Sequence, residues 1–160
     1  FGRKIFRIPR MDGYFCIERR FGVAKGVAGG MFLIFAKSDQ AALKAAELAV
    51  ESTRSVPYVV GKCAASGTKV GGKNYKDAVA TTNDAYCPNL ARNEGTLLSE
   101  DVKCVYEVIV SGLGLDDVTK AMRVGIENAT KVHGVLSITT SNYGGTLGKG
   151  KIFLHELFRP

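Results

Sequence analysis

The chain has 160 residues, of which 46% are hydrophobic, and its 22 basic residues outnumber 15 acidic residues to give a formal charge of +7. A chain of this length supports one domain with its own core, and it contains no apolar run long enough to cross a bilayer. These features exclude a helical membrane protein and a fold that depends on disulfides. The positive charge is compatible with an anionic partner but does not identify one.

The cysteines give no sign of a metal or redox site. They form no C-x-x-C pair and have no histidine near them in the sequence, which predicts free thiols in a reducing cytoplasm. The four positions are Cys16, Cys63, Cys87 and Cys104. The first residue is Phe1 rather than Met, so we expect the chain to be part of a longer protein.

The N-terminal segment predicts a β-hairpin. Two strand-like runs, Ile5 to Met11 and Tyr14 to Arg19, are joined at Asp12-Gly13, and this dipeptide is typical of a tight turn. Basic residues are frequent here, which favours a solvated edge protected against strand addition and leaves a binding patch as the alternative. They are Arg3, Lys4, Arg7, Arg10, Arg19 and Arg20.

A first strand-helix-strand unit follows. The glycine-rich run from 22 to 30 precedes the apolar strand Met31 to Ala36, which is the wrong order for a phosphate-binding loop, so the glycines indicate close backbone approach. Ser38 is a good N-cap for a helix through Thr53, and Tyr58 begins the next strand. The helix presents a face of small residues that we expect to pack on a sheet, namely Ala42, Ala45, Ala46, Ala49 and Val50.

A second unit repeats this plan. We predict a strand from Lys103 to Gly112, a helix from Asp116 to Lys131, a strand from Val135 to Thr139 and a last strand from Lys151 to Phe158. Two such units predict an α+β fold, a ferredoxin-like sandwich with a largely antiparallel sheet, two helices on one face and an added N-terminal hairpin.

One carboxyl group interrupts the apolar strand of the second unit. Glu107 shares a strand face with Val105 and Ile109, and an ionised carboxylate among apolar side chains is costly. A buried carboxyl that stays protonated can donate a hydrogen bond to an oxyanion or act as a general acid. The pattern alone favours a simpler interpretation, in which Glu107 is exposed on an uncovered sheet face or paired with a lysine.

A long connection, Ser66 to Lys103, separates the two units and shows weak secondary-structure signals. Its early part interleaves lysines with glycines, a composition suited to an anion but equally typical of a solvated loop. The short polar side chains of Thr82, Asn83 and Asp84 can instead shape turns without contacting a ligand.

Seven motifs together resemble one known family, the formylmethanofuran:tetrahydromethanopterin formyltransferases, in the order of that family and over nearly the whole chain. They are G-V-A-G-G before an apolar strand, T-K-V-G (68–71), T-N-D-A-Y-C-P (82–88), V-K-C-V-Y-E-V (102–108), A-M-R-V-G-I-E (121–127), S-N-Y-G-G-T-L-G (141–148) and L-H-E-L-F (154–158).

The resemblance implies that residues 1–160 are a single lobe, the C-terminal (distal) half of a cytoplasmic protein with two related lobes that forms homo-oligomers. It implies formyl transfer between methanofuran and N5 of tetrahydromethanopterin as co-substrates, without a metal or prosthetic group. Glu107, in the V-Y-E motif, would be the catalytic residue that stays protonated and stabilises a tetrahedral intermediate. The resemblance also implies substrate-binding residues at Gly29, Gly30, Lys69, Thr82, Asn83, Asp84, Tyr86 and Asn142.

Two other functions remain open at this stage. A basic ferredoxin-like chain could be a nucleic-acid-binding module, but the aromatic-rich signature of the RNA-recognition fold is missing, so we expect neither a nucleic acid nor a membrane as partner. A non-catalytic ligand-binding or assembly lobe is the other alternative.

Overall fold

The computed structural model describes residues 2–66, 73–75, 78–80, 84–90, 95–141 and 148–159. Within these residues the elements are β1 (Ile5–Arg10), β2 (Gly13–Glu18), β3 (Val27–Ala36), α1 (Asp39–Thr53), β4 (Val59–Ser66), β5 (Lys73–Tyr75), β6 (Ala78–Ala80), β7 (Cys104–Gly112), α2 (Leu115–Ala129), β8 (Val135–Thr139) and α3 (Leu154–Leu157). Two 3-10 helices, Asp84–Tyr86 and Pro88–Leu90, lie in the long connection. No helix in the described ranges is long and apolar enough to cross a membrane.

The main sheet has the strand order β4-β7-β3-β8 and is antiparallel throughout. It is built from two strand-helix-strand units, β3-α1-β4 and β7-α2-β8, whose first strands pair at the centre. Both helices pack on the same face of this sheet. The predicted ferredoxin-like sandwich with two helices on one face is therefore confirmed.

Helix α1 packs on the sheet through alanines, as predicted. Its N-cap is Ser38, whose Oγ accepts a hydrogen bond from the Ala41 nitrogen at 3.2 Å. The side chains of Ala42, Ala45 and Ala49 are fully buried, and such small residues allow the helix backbone to lie close to its neighbours. Helix α2 begins one residue before the predicted Asp116 and ends two residues before the predicted Lys131.

The N-terminal hairpin forms, but its turn is displaced by one residue. Arg10 pairs with Gly13, so the turn residues are Met11 and Asp12 rather than the predicted Asp12-Gly13. Tyr58 is the only described non-glycine residue with positive φ, so neither turn residue has the positive φ that a type I′ turn needs. Gly13 has that conformation instead, with φ of 134°.

Two further predictions differ from the structure. Strand β3 begins at Val27, inside the predicted glycine loop, and has an irregular register between Val27 and Gly30. The predicted last strand, Lys151 to Phe158, is wrong because the short helix α3 lies there. Leu154 and Leu157 have the i, i+3 spacing of a helix, and both pack against the core that faces α1 and α2.

Candidate active site

Glu107 lies at the middle of β7, which is a central strand of the main sheet. In the strand register it is opposite Leu33 of β3 on one side and Ala65 of β4 on the other. The alternation predicted for this strand is confirmed, because Val105 and Ile109 belong to the apolar cluster on the side away from the helices. The intervening residues Tyr106, Val108 and Val110 belong to the cluster that faces the helices.

The Glu107 side of the sheet is covered within this chain. Met31, Leu33 and Phe35 of β3 are buried there, and Glu107 is only 9% exposed. Among the residues described, Glu107 is the only charged side chain that is buried. The interpretation of Glu107 as a residue on an uncovered sheet face is therefore wrong. Phe35 is buried on the same side of the sheet, so its ring cannot stack on a nucleic-acid base. This argues against the nucleic-acid-binding alternative.

The cover comes from the long connection. Its first 3-10 helix places the ring of Tyr86 5.5 Å from the ring of Phe35, measured between centroids, with the two planes tilted by 39°. The Leu97 nitrogen donates to the Ala85 carbonyl at 2.9 Å, which closes the segment on itself. The Lys103 nitrogen donates to the Ala36 carbonyl at 3.0 Å and attaches the end of the connection to β3.

Sequence reasoning missed two residues of this cover. The stretch from Asn89 to Asp101 is mostly polar and predicts no packing role, whereas Leu98 from this stretch and the adjoining Val102 pack against the buried cluster around Val105. The available signal was the spacing of Leu98 and Val102, four residues apart in a mostly polar stretch.

The structure brings only some of the predicted site residues together. Glu107 and Tyr86 lie on the same side of the sheet, and the backbone of Asp84 begins the 3-10 helix that carries Tyr86. Gly29 is exposed in the irregular part of β3, with φ of +85° and open space where a Cβ would point. The remaining predicted residues, Lys69, Thr82, Asn83 and Asn142, lie outside the described residues.

Gly30 faces the opposite side, towards α2. A Cβ added there would be 2.4 Å from Val118 Cγ1 and 3.1 Å from Met122 Sδ. Val118 is fully buried, so the missing side chain at Gly30 has a packing reason that is independent of any ligand.

Cys104 is also on the helix side, where its Sγ donates a hydrogen bond to Asp39 Oδ1 at 3.2 Å. Burial, followed by the hydrogen bond to Asp39 and the negative charge of that carboxylate, raises the pKa of Cys104 to about 11. The group is therefore a neutral thiol at physiological pH and a weak nucleophile. No group of three or more His, Cys, Asp or Glu side chains that could hold a metal ion occurs in the described part of the chain.

Known proteins resemble this chain closely. The formylmethanofuran–tetrahydromethanopterin formyltransferases of Methanopyrus kandleri and Methanocaldococcus jannaschii are both 48% identical to it, over 98% and 99% of the chain and 53% and 55% of their own lengths. The chain thus spans about half the length of the curated relatives it matches.

Solved structures of formyltransferases also resemble this chain. The formyltransferase of Methanosarcina barkeri superposes with a TM-score of 0.75 at 39% identity, covering 98% of this chain and 55% of its own. The formyltransferase/hydrolase complex of Methylorubrum extorquens, solved with methylofuran, gives a TM-score of 0.74 at 32% identity, covering 98% and 53%.

The family comparison also corrects one expectation. The model that matches residues 13–157 describes the proximal lobe of the FTR family, so the distal lobe expected from the motifs is wrong. The chain belongs to the formylmethanofuran:tetrahydromethanopterin formyltransferase family and matches its proximal lobe.

Proposed function

We propose that this chain supplies the catalytic carboxyl group of an enzyme that transfers a formyl group between formylmethanofuran and N5 of tetrahydromethanopterin. The observation that carries the proposal is the burial of Glu107, which is only 9% exposed, on the central strand β7 of the sheet. Because the matched relatives are about twice as long, we assign the activity to a longer cytoplasmic protein. In that protein this lobe is the C-terminal half, joined to a related N-terminal lobe and assembled into homo-oligomers.

The reaction requires stabilisation of an oxyanion. The N5 amine attacks the formyl carbon, a new C–N bond forms, and the carbonyl electron pair moves to oxygen. When the tetrahedral intermediate collapses, the carbonyl re-forms and the bond to the methanofuran nitrogen breaks. The proton lost by N5 balances the proton gained by the departing amine, so neither a metal nor a redox group is required.

A buried carboxyl group suits this step. Only a neutral carboxylic acid can donate a hydrogen bond to the developing oxyanion, so the proposed role assigns Glu107 that form. Glu107 also lies on a strand that is paired on both sides, to β3 and β4, which fixes its backbone before the substrate binds.

The two one-carbon carriers are the co-substrates in this proposal. Tyr86 and Gly29 are the predicted contacts with the most support, since Tyr86 packs on the Glu107 side of the sheet and Gly29 leaves an open, exposed backbone. We retain Gly30, Lys69, Thr82, Asn83, Asp84 and Asn142 as predicted contacts. The excess of basic residues would favour the anionic groups of both carriers.

Substitution of Glu107 in the full-length enzyme tests the proposal. Glu107→Ala removes the donor and should lower kcat by about a hundred- to a thousandfold, as for other oxyanion-hole donors. Glu107→Gln retains a neutral N–H donor and should keep more activity than the alanine variant. The exposed Glu100 provides a control, because Glu100→Ala should leave turnover unchanged. Wild-type activity in Glu107→Ala would refute the catalytic role, and equal losses in both variants would refute the neutral-donor mechanism.

A further inference from the structure

The N-terminal hairpin has one bare apolar face. In the register of β1 and β2, Phe6 is opposite Ile17 and Ile8 is opposite Phe15, so these four side chains share a face. Phe6, Ile8 and Phe15 are 53%, 49% and 47% exposed. Among the described strands, β1 and β2 pair with each other alone.

The opposite face is mixed, because Ile5, Pro9 and Cys16 share it with charged and aromatic side chains. Arg7 and Tyr14 lie there, and the Arg7 guanidinium carbon is 4.2 Å from the centre of the Tyr14 ring. The face formed by Phe6, Ile8, Phe15 and Ile17 is therefore the more apolar of the two, because it lacks the Arg7 and Glu18 side chains of the opposite face. Because an isolated two-stranded hairpin is marginally stable at best, the apolar face requires a covering surface.

The comparisons indicate which part of the protein supplies this surface. The proximal-lobe match begins at Gly13, the first residue of β2, so the matched residues do not include β1. The curated relatives nevertheless align over 98% of the chain, which leaves about three residues unmatched and includes β1. Strand β1 therefore has a counterpart in the longer relatives, of which this chain covers 53% in the example from Methanopyrus kandleri, so about half of such a relative is left to supply a covering surface.

We propose that the apolar hairpin face, formed by Phe6, Ile8, Phe15 and Ile17, docks in an apolar groove on the other lobe of the same polypeptide. This inference rests on the two-lobe organisation of the proposed function. The groove should have an acidic rim, because several basic side chains of the hairpin have no acidic partner among the described residues. The ion pairs of the hairpin there are Arg3 with Glu18 and Arg10 with Asp12. Lys4, Arg19 and Arg20 have no ion pair in the described part of the chain and are available to such a rim.

The size of the face argues against a second copy of the chain that is held by this face alone. Six-residue strands are about 20 Å long, and a two-stranded ribbon is only about 10 Å wide. A stable interface between separate proteins buries about 800 Å² on each side, several times what this face can offer. A tethered lobe avoids most of the entropy cost of association and can be held by a smaller contact.

Limited trypsin digestion of the full-length protein and of the 160-residue chain tests this docking. The bonds after Arg7 and Arg10 should be cut at least tenfold more slowly in the full-length protein, at a rate independent of protein concentration. Phe15→Ser in the full-length protein should restore most of the fast cleavage. Tyr14→Ser, on the opposite face of the same strand, should not.

Several results would overturn the proposal. Two are equal cleavage rates in the full-length protein and the 160-residue chain, and equal effects of Phe15→Ser and Tyr14→Ser. A third is protection that increases with protein concentration, which would identify a second copy as the occupant. The fourth is a full-length protein that has no other lobe. The wild-type comparison needs no variant and therefore does not depend on how a substitution folds. A parallel formyl-transfer assay separates the two proposals, since inactive protein with a protected hairpin would refute only the function.

Discussion

Replacing Gly30 with alanine tests whether this glycine serves packing or substrate binding. The added methyl group would lie 2.4 Å from Val118 Cγ1 and 3.4 Å from the Val110 carbonyl oxygen, and the shorter distance cannot persist. Val118 is a short, fully buried side chain that cannot move aside cheaply. We expect the overpacking to lower the free energy of unfolding by about 1–3 kcal/mol, which corresponds to a fall in Tm of about 2–12 °C for a chain of this size.

Thermal and urea denaturation of the 160-residue chain would measure this loss. Val118→Ala removes the atom in conflict, so it should reduce the cost of Gly30→Ala, with a coupling energy of at least about 0.5 kcal/mol in a double-mutant cycle. Gly29→Ala is the matched control, since its methyl group meets no atom within 4 Å and its cost arises from φ of +85°. Its effect should add to that of Val118→Ala. An unchanged Tm for Gly30→Ala, or no coupling to Val118, would refute the packing explanation.

Two further changes test the surroundings of the sheet. At pH 8 Cys104 should react with iodoacetamide about a hundredfold more slowly than a thiol of pKa 9.0, because its own pKa is about 11. Asp39→Asn should accelerate this reaction, whereas the reaction rate of the exposed Cys16 should not change. The stability contributed by this thiol should be complete below pH 9 and decline as the pH rises towards 11, since only the unfolded chain then releases the proton. A Cys104 rate that ignores Asp39→Asn would contradict this explanation. Tyr86→Ala should lower the free energy of unfolding by about 1 kcal/mol, because the contact with Phe35 is lost. In the same urea denaturation assay, Tyr86→Phe should have almost no effect. Equal losses in the two variants would show that the hydroxyl group matters more than the ring.

The parts of the fold predicted correctly are those with a local and repeated signal. The alanine face of α1 and its Ser38 cap follow helical spacing, and the side chains around Glu107 follow the period of a strand. The failures occur where short segments allow two periods. The composition of Lys151 to Phe158 favours a strand. The segment forms a helix because Leu154 and Leu157 then pack against core residues that are distant in the sequence.

The site could be predicted only in part, for a related reason. Strand alternation placed Glu107 between Val105 and Ile109, but it could not reveal whether another segment covers that face. The cover depends on Tyr86 and Leu98, which come from a connection without a regular pattern. Gly30 posed a second difficulty, because the sequence alone cannot show whether a glycine in a family motif is needed for close packing or for contact with a ligand.

The central position of β7 has a consequence for the temperature range of the proposed activity. Residues 105–109 are paired in register with β3, and residues 106–109 also pair with β4, so their amides should exchange hydrogen only when the whole domain unfolds. The carboxyl group of Glu107 is thus carried by a strand that is held on both sides. On heating, we expect the catalytic contribution proposed for Glu107 to persist until the cooperative unfolding transition and then to disappear with it, rather than to decline gradually as a site on a mobile loop would.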